Sequence, residues 1–259
     1  MTEETTVALV TGANKGIGYQ TARLLGELGH TVLIGARDPE AGRRAESALR
    51  EGGADARFVP LEVTDAASVR QAAEHVAETF GRLDILVNNA GIVRAPGSDG
   101  AAGWAPSQAA VADVRAVFEV NVFGVIAVTN AMLPLLRRAP AARIVHVSSE
   151  VGSIGSVTDP DSPLFALTSL GYPASKAALN MVTAMYAKEL AGTPIKVNAA
   201  NPGYCATDLN GNSGFRTAEE GARISVELAT LPADGPSGEL WGYLWDPSSP
   251  VPRNGRLPW

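Results

Sequence analysis

Tyr172 and Lys176 stand four residues apart in the stretch YPASK, with only small residues or proline between them. On a helix that spacing puts both side chains on one face. A free phenol titrates near pH 10 and is a poor base at neutral pH. An ammonium about 4 Å away contributes on the order of 4 kcal/mol at an intermediate dielectric. At about 1.4 kcal/mol per unit, such a neighbour would bring the phenol down by roughly three pKa units, into proton-transfer range. Lysine also has three donors, enough to hold a ribose while tuning the phenol. Ser148 and Ser149 close an apolar run, ARIVHVSS. A serine there is either an ordinary strand-end turn residue or a donor to a carbonyl oxygen. Asn121 interrupts a helical pattern, as a capped bend, a buried hydrogen-bonding residue or a site residue.

A second chemical feature is TGANKGIG, residues 11–18. Gly12, Gly16 and Gly18 let the backbone turn sharply and approach a ligand. The helix that follows presents free N–H groups and a positive dipole end, which suits a pyrophosphate. Asn14, Lys15 and Ile17 complete the expected contact loop. The spacing is G-x-x-x-G-x-G, and its place after an apolar strand and before a helix predicts nucleotide binding. The second strand ends in GARD. Arg37 there, with Lys15 in the loop, favours the 2′-phosphate of NADP. In the alternative, both are solvated charges and Asp38 serves the ribose of NAD.

These residues need a frame. Short apolar runs at 7–11, 31–35, 57–63, 83–91, 142–149, 195–203 and 240–244 alternate with helical patterns at 17–29, 39–51, 66–80, 107–138, 172–190 and 217–230. Gly29 should end the first helix and Asp65 should cap the third. The alternation predicts an α/β fold over 1–259: one domain, with a doubly wound, Rossmann-type, mostly parallel sheet of about seven strands and helices on both faces. Runs such as ILV and IVHV are apolar without alternation, as strands covered on both faces should be. Loops at about 94–107, 150–171 and 208–217 should shape a substrate pocket, and 245–259 reads as a tail.

Composition narrows the function. The 259 residues are 46% hydrophobic and 19% charged, enough for a large core. A net charge of −6 without a basic block argues against nucleic acid. Arg43-Arg44 and Arg137-Arg138 read as helix-surface and helix-end charges. The start is acidic and then briefly apolar, the wrong order for a signal peptide, and no run is expected to span a membrane. One cysteine and three histidines permit no disulfide framework and no His/Cys metal site; a reducing cytoplasm is expected. Cys205 reads as a small apolar residue near the ligand, and His146 as a packed structural histidine. Trp104, Trp241, Trp245 and Trp259 suit either a pocket lining or core and interface positions.

TGANKGIG, NNAG at 88–91, Asn121, Ser149, YPASK and NPGYCATDL at 201–209 occur in one order. In this the chain resembles the short-chain dehydrogenase/reductase family over most of its length. ARD and TAEEGARISVELATLP at 217–232 resemble its carbonyl reductase and menthone reductase branch. The resemblance implies NADPH-dependent, reversible reduction of a ketone or aldehyde to an alcohol. Tyr172 would be the general acid, with Lys176 lowering its pKa while binding the nicotinamide ribose, so that both also touch the cofactor. Ser149, the second serine of its pair, would orient the carbonyl. Asn121 would position a water linking Lys176 to solvent. Asn89, Ala90 and Gly91 would line the adenosine ribose, Glu62 and Val63 the adenine, and Pro202, Gly203 and Thr207 the nicotinamide end. Two departures stand out: Glu62 replaces the usual aspartate, and the Ser149–Tyr172 stretch is longer than the roughly dozen residues of most members, as in monomeric ones. Monomer and homo-oligomer both stay open. The alternatives are a non-catalytic NADP-binding sensor or scaffold, and a double-bond reductase or dehydratase using the same cofactor.

Overall fold

A computed structural model describes residues 5–97, 105–244 and 253–259. Strands β1 (Val7–Thr11), β2 (Thr31–Ala36), β3 (Ala56–Pro60), β4 (Ile85–Asn88), β5 (Arg143–Val147), β6 (Lys196–Asn201) and β7 (Leu240–Leu244) are parallel, and β8 (Arg253–Leu257) is antiparallel to β7. The sheet order is β3-β2-β1-β4-β5-β6-β7-β8. The chain reverses direction of travel between β1 and β4, which opens a crevice at their carboxyl ends.

Alternate strand residues feed two cores. Val7, Leu9 and Leu33 join α3 (Ala66–Phe80), α5 (Val125–Leu136) and α7 (Gly171–Glu189) on one face. Ala8, Val10, Val32 and Ile34 join α1 (Gly16–Glu27), α2 (Pro39–Glu51) and α8 (Ala218–Ala229) on the other. Both sides of these strands are therefore apolar, which is the physical origin of their unbroken hydrophobic runs. Helix caps agree with local chemistry. Asp65 accepts from Ala67 N at 2.9 Å, Thr217 and Glu220 form a capping box, and Gly29 takes φ +85 just after α1.

Three expectations are corrected and one interruption is located. The sheet has eight strands, because RNGRL in the supposed tail pairs with β7; only Leu257 of it is buried, so no hydrophobic pattern marks it. A short helix, α6 (Ile154–Thr158), lies within the Gly/Ser/Pro-rich stretch after β5. The helical region expected at 107–138, interrupted in pattern by Asn121 and Gly124, is α4 (Val111–Phe118), a π turn at Glu119–Gly124 that holds both residues, and then α5. Finally, among the described residues Val111–Leu136 is long and apolar enough to cross a membrane, contrary to the expectation that no run is. Its buried residues Val117, Val125, Val128, Met132 and Leu136 pack inside the protein. Trp104 and Trp245, and loop residues 98–104, lie outside the described residues.

Candidate active site

The loop after β1 is stitched to the turn after β4. The Thr11 hydroxyl accepts from Asn89 N and Ala90 N, each at 3.0 Å. Asn89 Nδ2 donates back to Thr11 O at 2.9 Å and Gly12 O at 3.2 Å. Gly18 allows this closeness: a Cβ there would sit 2.3 Å from Asn89 Nδ2 and 2.6 Å from Gly12 O. Gly12 and Gly16 have φ +65 and +59, a left-handed backbone that favours glycine. Lys15, at the N-cap of α1, supplies no side-chain acceptor, and the first turn holds no acid. The N–H groups and positive dipole end are thus kept for an anion. Ile17 packs toward α8, near Gly221.

A cavity of about 540 Å³ beside this loop is lined by Asn14, Lys15, Asp38 and Arg44, among others. Asp38 is committed to capping α2: its Oδ1 accepts from Glu40 N at 2.9 Å and Ala41 N at 3.1 Å, bonds that hold its carboxyl below the usual range. Arg37 projects with 72% of its side chain exposed and makes a loose 3.9 Å ion pair with Glu62. Glu62 also accepts from the Thr64 N–H and hydroxyl. Val63 is buried, close enough to the π turn that a Cβ on Gly124 would lie 2.9 Å from its Cγ2. Lys15 pairs with Asp208 at 2.9 Å across an exposed gap. Thr207 borders the loop, its Cγ2 3.5 Å from where a Gly16 Cβ would stand. These features fit a dinucleotide: a glycine cradle a Cβ would fill, an uncapped helix start, an exposed guanidinium, and a carboxylate turned to capping.

At the ends of β5 and α7 the second chemical group assembles. Ser148 is buried and donates to Asn180 Oδ1 at 2.6 Å, a structural bond. Ser149 is partly exposed, and its hydroxyl stands beside the phenol of partly buried Tyr172 and favours the ionised phenol. Lys176 is 4% exposed; its Nζ donates to Val147 O at 2.7 Å and lies 5.4 Å from the Tyr172 ring centre. The direction expected for Tyr172 is reversed. Burial pushes the phenol up to about 12, opposed by the Ser149 hydroxyl, and burial lowers Lys176 to about 8. Desolvation is the largest cause in both groups and disfavours the charged form of each.

Asn121 is fully buried in the π turn. Its Oδ1 accepts from Ile92 N at 2.9 Å, and its Nδ2 donates to Ile92 O at 2.9 Å and Ser175 Oγ at 3.0 Å. Ser175 in turn donates to Tyr172 O at 2.7 Å. The irregular helix thus braces the backbone of YPASK and of the residue after Gly91. Gly91 faces Lys176: a Cβ there would lie 3.8 Å from Nζ. Beyond β6, Pro202 is buried and Gly203 has φ +75. His146 is fully buried, and Cys205 is buried with its thiol pushed up to about 11, chiefly by burial.

The site residues read from the sequence gather along one sheet edge. Three that the sequence reading passed over are Thr11, Ser175 and Asn201. The first two stand inside TGANKGIG and YPASK, and the third opens NPG. Their positions were visible, but their hydrogen bonds depend on elements distant in the chain.

The short chain dehydrogenase family profile matches residues 6–217. "Short-chain dehydrogenase anuI" of Penicillium roqueforti is 41% identical over 249 residues, covering 93% of each chain. "Carbonyl reductase [NADPH] 1" of Bos taurus is 31% identical over 278 residues, covering 93% of this chain and 97% of its own. The solved structure of NADPH-bound carbonyl reductase from chicken fatty liver superposes with a TM-score of 0.77 at 29% identity, covering 92% of this chain and 95% of that one. With matching motifs, sheet order and profile, the chain belongs to the short-chain dehydrogenase/reductase family, on its carbonyl reductase-like branch.

Proposed function

We propose that the protein is an NADPH-dependent reductase of ketones or aldehydes, working reversibly. The observation that carries this reading is the Ser149–Tyr172 hydroxyl pair beside buried Lys176, on the sheet edge shared with the glycine loop. NADPH, when bound, supplies a hydride to the carbonyl carbon. Gly12, Asn14, Gly16, Ile17 and Gly18 would hold its pyrophosphate, and Lys15 and Arg37 its 2′-phosphate. Asn89, Ala90 and Gly91 would meet the adenosine ribose, Glu62 and Val63 the adenine, Lys176 and Tyr172 the nicotinamide ribose, and Pro202, Gly203 and Thr207 the nicotinamide end.

Ser149 donates a hydrogen bond to the substrate oxygen and polarises it. Tyr172 gives its phenolic proton to the same oxygen as negative charge develops there. A phenol raised to about 12 is fully protonated at neutral pH, the state an acid needs for reduction. Asn121 keeps the π turn closed over Ser175 and Ile92, and that turn would carry the water joining Lys176 to solvent. The relative named as an NADPH carbonyl reductase, and Asp38's engagement in the α2 cap, support the choice of NADPH.

The test is NADPH consumption by the whole protein across aldehydes, ketones, quinones and cyclic terpenoid ketones, with product analysis. The expected result is an alcohol from at least one class. NADPH binding without turnover of any of them would replace this reading with the sensor or scaffold. A saturated carbonyl product from an enone would replace it with the double-bond reductase.

A further inference from the structure

Asn201, the last residue of β6, is 1% exposed, and its side-chain amide bonds backbone from three neighbouring strand ends. Oδ1 accepts from Glu150 N at 3.1 Å and from Gly203 N at 3.2 Å. Nδ2 donates to Tyr243 O, in β7, at 2.9 Å. Glu150 directly follows Ser149, and Gly203 lies in the turn expected to meet the nicotinamide. One carboxamide oxygen therefore spans the two turns between which a carbonyl would have to sit.

The surroundings leave this junction little freedom. A Cβ on Gly242 would lie 2.0 Å from Asn201 O, so β7 presses directly on the Asn201 backbone. A Cβ on Gly203 would lie 3.0 Å from the Tyr243 ring. Arg216 lies 4.6 Å over that ring and donates to Pro202 O at 2.8 Å, holding the same turn from the other side. Two backbone N–H groups held by one oxygen fix the separation of their turns to within hydrogen-bond tolerance. A buried amide with its acceptor doubly used and a donor engaged is a rigid spacer.

We propose that Asn201 is a positioning residue for the reduction: its carboxamide sets the distance between the Ser149–Glu150 turn, which holds the substrate carbonyl, and the Pro202–Gly203 turn, which holds the nicotinamide. This rests on the function proposed above. Removing the spacer lets the two turns part without touching the glycine loop or Arg37. Cofactor affinity is then kept while the approach of the reacting atoms is loosened, and misplacement by about 1 Å costs on the order of 100-fold in rate.

The experiment compares N201A and N201D with the wild type. The readouts are NADPH affinity by fluorescence titration, kcat and KM, the isotope effect on kcat with deuterated NADPH, and melting temperature. N201A is expected to hold NADPH within about threefold of wild type, to lose about 10- to 100-fold in kcat, and to show a larger isotope effect as hydride transfer becomes limiting. N201D keeps an acceptor for both N–H groups but loses the donor to Tyr243 O and buries a charge beside the Glu150 carboxylate, which the Asn201 side chain also hydrogen-bonds. It should therefore melt below N201A yet turn over faster, an ordering a purely structural role does not produce. N201A with kcat within about twofold of wild type and an unchanged isotope effect overturns the proposal, as does activity that follows melting temperature across the variants. If N201A does not fold, N201S takes its place under the same isotope-effect criterion. A wild type that reduces no carbonyl defeats the proposed function; an active wild type with an equally active N201A defeats this inference alone.

Discussion

The Lys176 ammonium lies 5.4 Å from the centre of the Tyr172 ring and donates its 2.7 Å hydrogen bond to the carbonyl of Val147. The lysine is thus tethered to the end of β5, two residues before Ser149. Burial at that depth disfavours the charged lysine, which falls to about 8 from its ordinary 10.5.

That shift has a consequence for stability. Between about pH 8 and 10.5 the unfolded chain holds a proton at Lys176 that the folded chain has released, so stability rises with pH across this window and is lowest below it. A fall from 10.5 to about 8 corresponds to at most about 3 kcal/mol. Lys176→Met should therefore abolish turnover while making the cofactor-free protein more stable at pH 7, by about 1–3 kcal/mol once the lost bond to Val147 is counted. Urea unfolding at pH 7 and pH 10 checks this: the advantage should shrink at the higher pH. A less stable variant at pH 7 refutes it.

Tyr172→Phe removes one hydroxyl from a half-buried ring. The fold and NADPH affinity should be nearly unchanged, and kcat should fall about 100- to 10,000-fold, the usual contribution of a general acid. Retained turnover would take the acid role away from Tyr172.

Cofactor choice rests on two adjacent residues with different duties. Arg37 is exposed, whereas Asp38 caps α2. Arg37→Asp should weaken NADPH about 100-fold, removing a charge-assisted contact and adding a repulsion, and change NADH little. Asp38→Ala should lower the melting temperature and leave the NADPH-to-NADH ratio alone. Dissociation constants for both nucleotides test the pair; a ratio that moves with Asp38 reverses the assignment.

The contrast between those two residues shows where the sequence was legible. Strand and helix positions followed from apolar runs and caps, since both faces of β1 and β2 are covered and their composition says so. TGANKGIG and YPASK were legible because left-handed glycines and an i,i+4 pair leave local marks. The engagement of Asp38 was not, because an aspartate before proline is equally good as a cap or a ribose acceptor. The rise of the Tyr172 pKa was invisible as well: charge proximity is readable from spacing, whereas desolvation depends on everything packed around β5 and α7. Strand β8 was missed because RNGRL is held by edge pairing with β7 and carries almost no burial signal.

His146, in the middle of β5, offers a test of how the core tolerates acid. It is fully buried, its Nδ1 lies 2.9 Å from Thr183 Oγ1, and Tyr186 packs edge-on at 6.2 Å. The Thr183 hydroxyl donates to Leu179 O, so Nδ1 carries a proton toward Thr183. Burial, with the Lys176 charge adding to it, lowers the imidazole from 6.5 to about 3. A depressed folded pKa means that the stability from keeping this ring neutral is complete above pH 6.5 and is lost as pH falls from there toward 3. At pH 4.5 that loss is about 2–3 kcal/mol. His146→Phe fills a similar volume and cannot titrate, so its stability should fall less between pH 7 and 4.5 than the wild type's by about that amount. Urea midpoints at the two pH values decide it: parallel losses in the two proteins would mean that the acid sensitivity lies elsewhere, with His30 the next group to examine, because burial depresses it too.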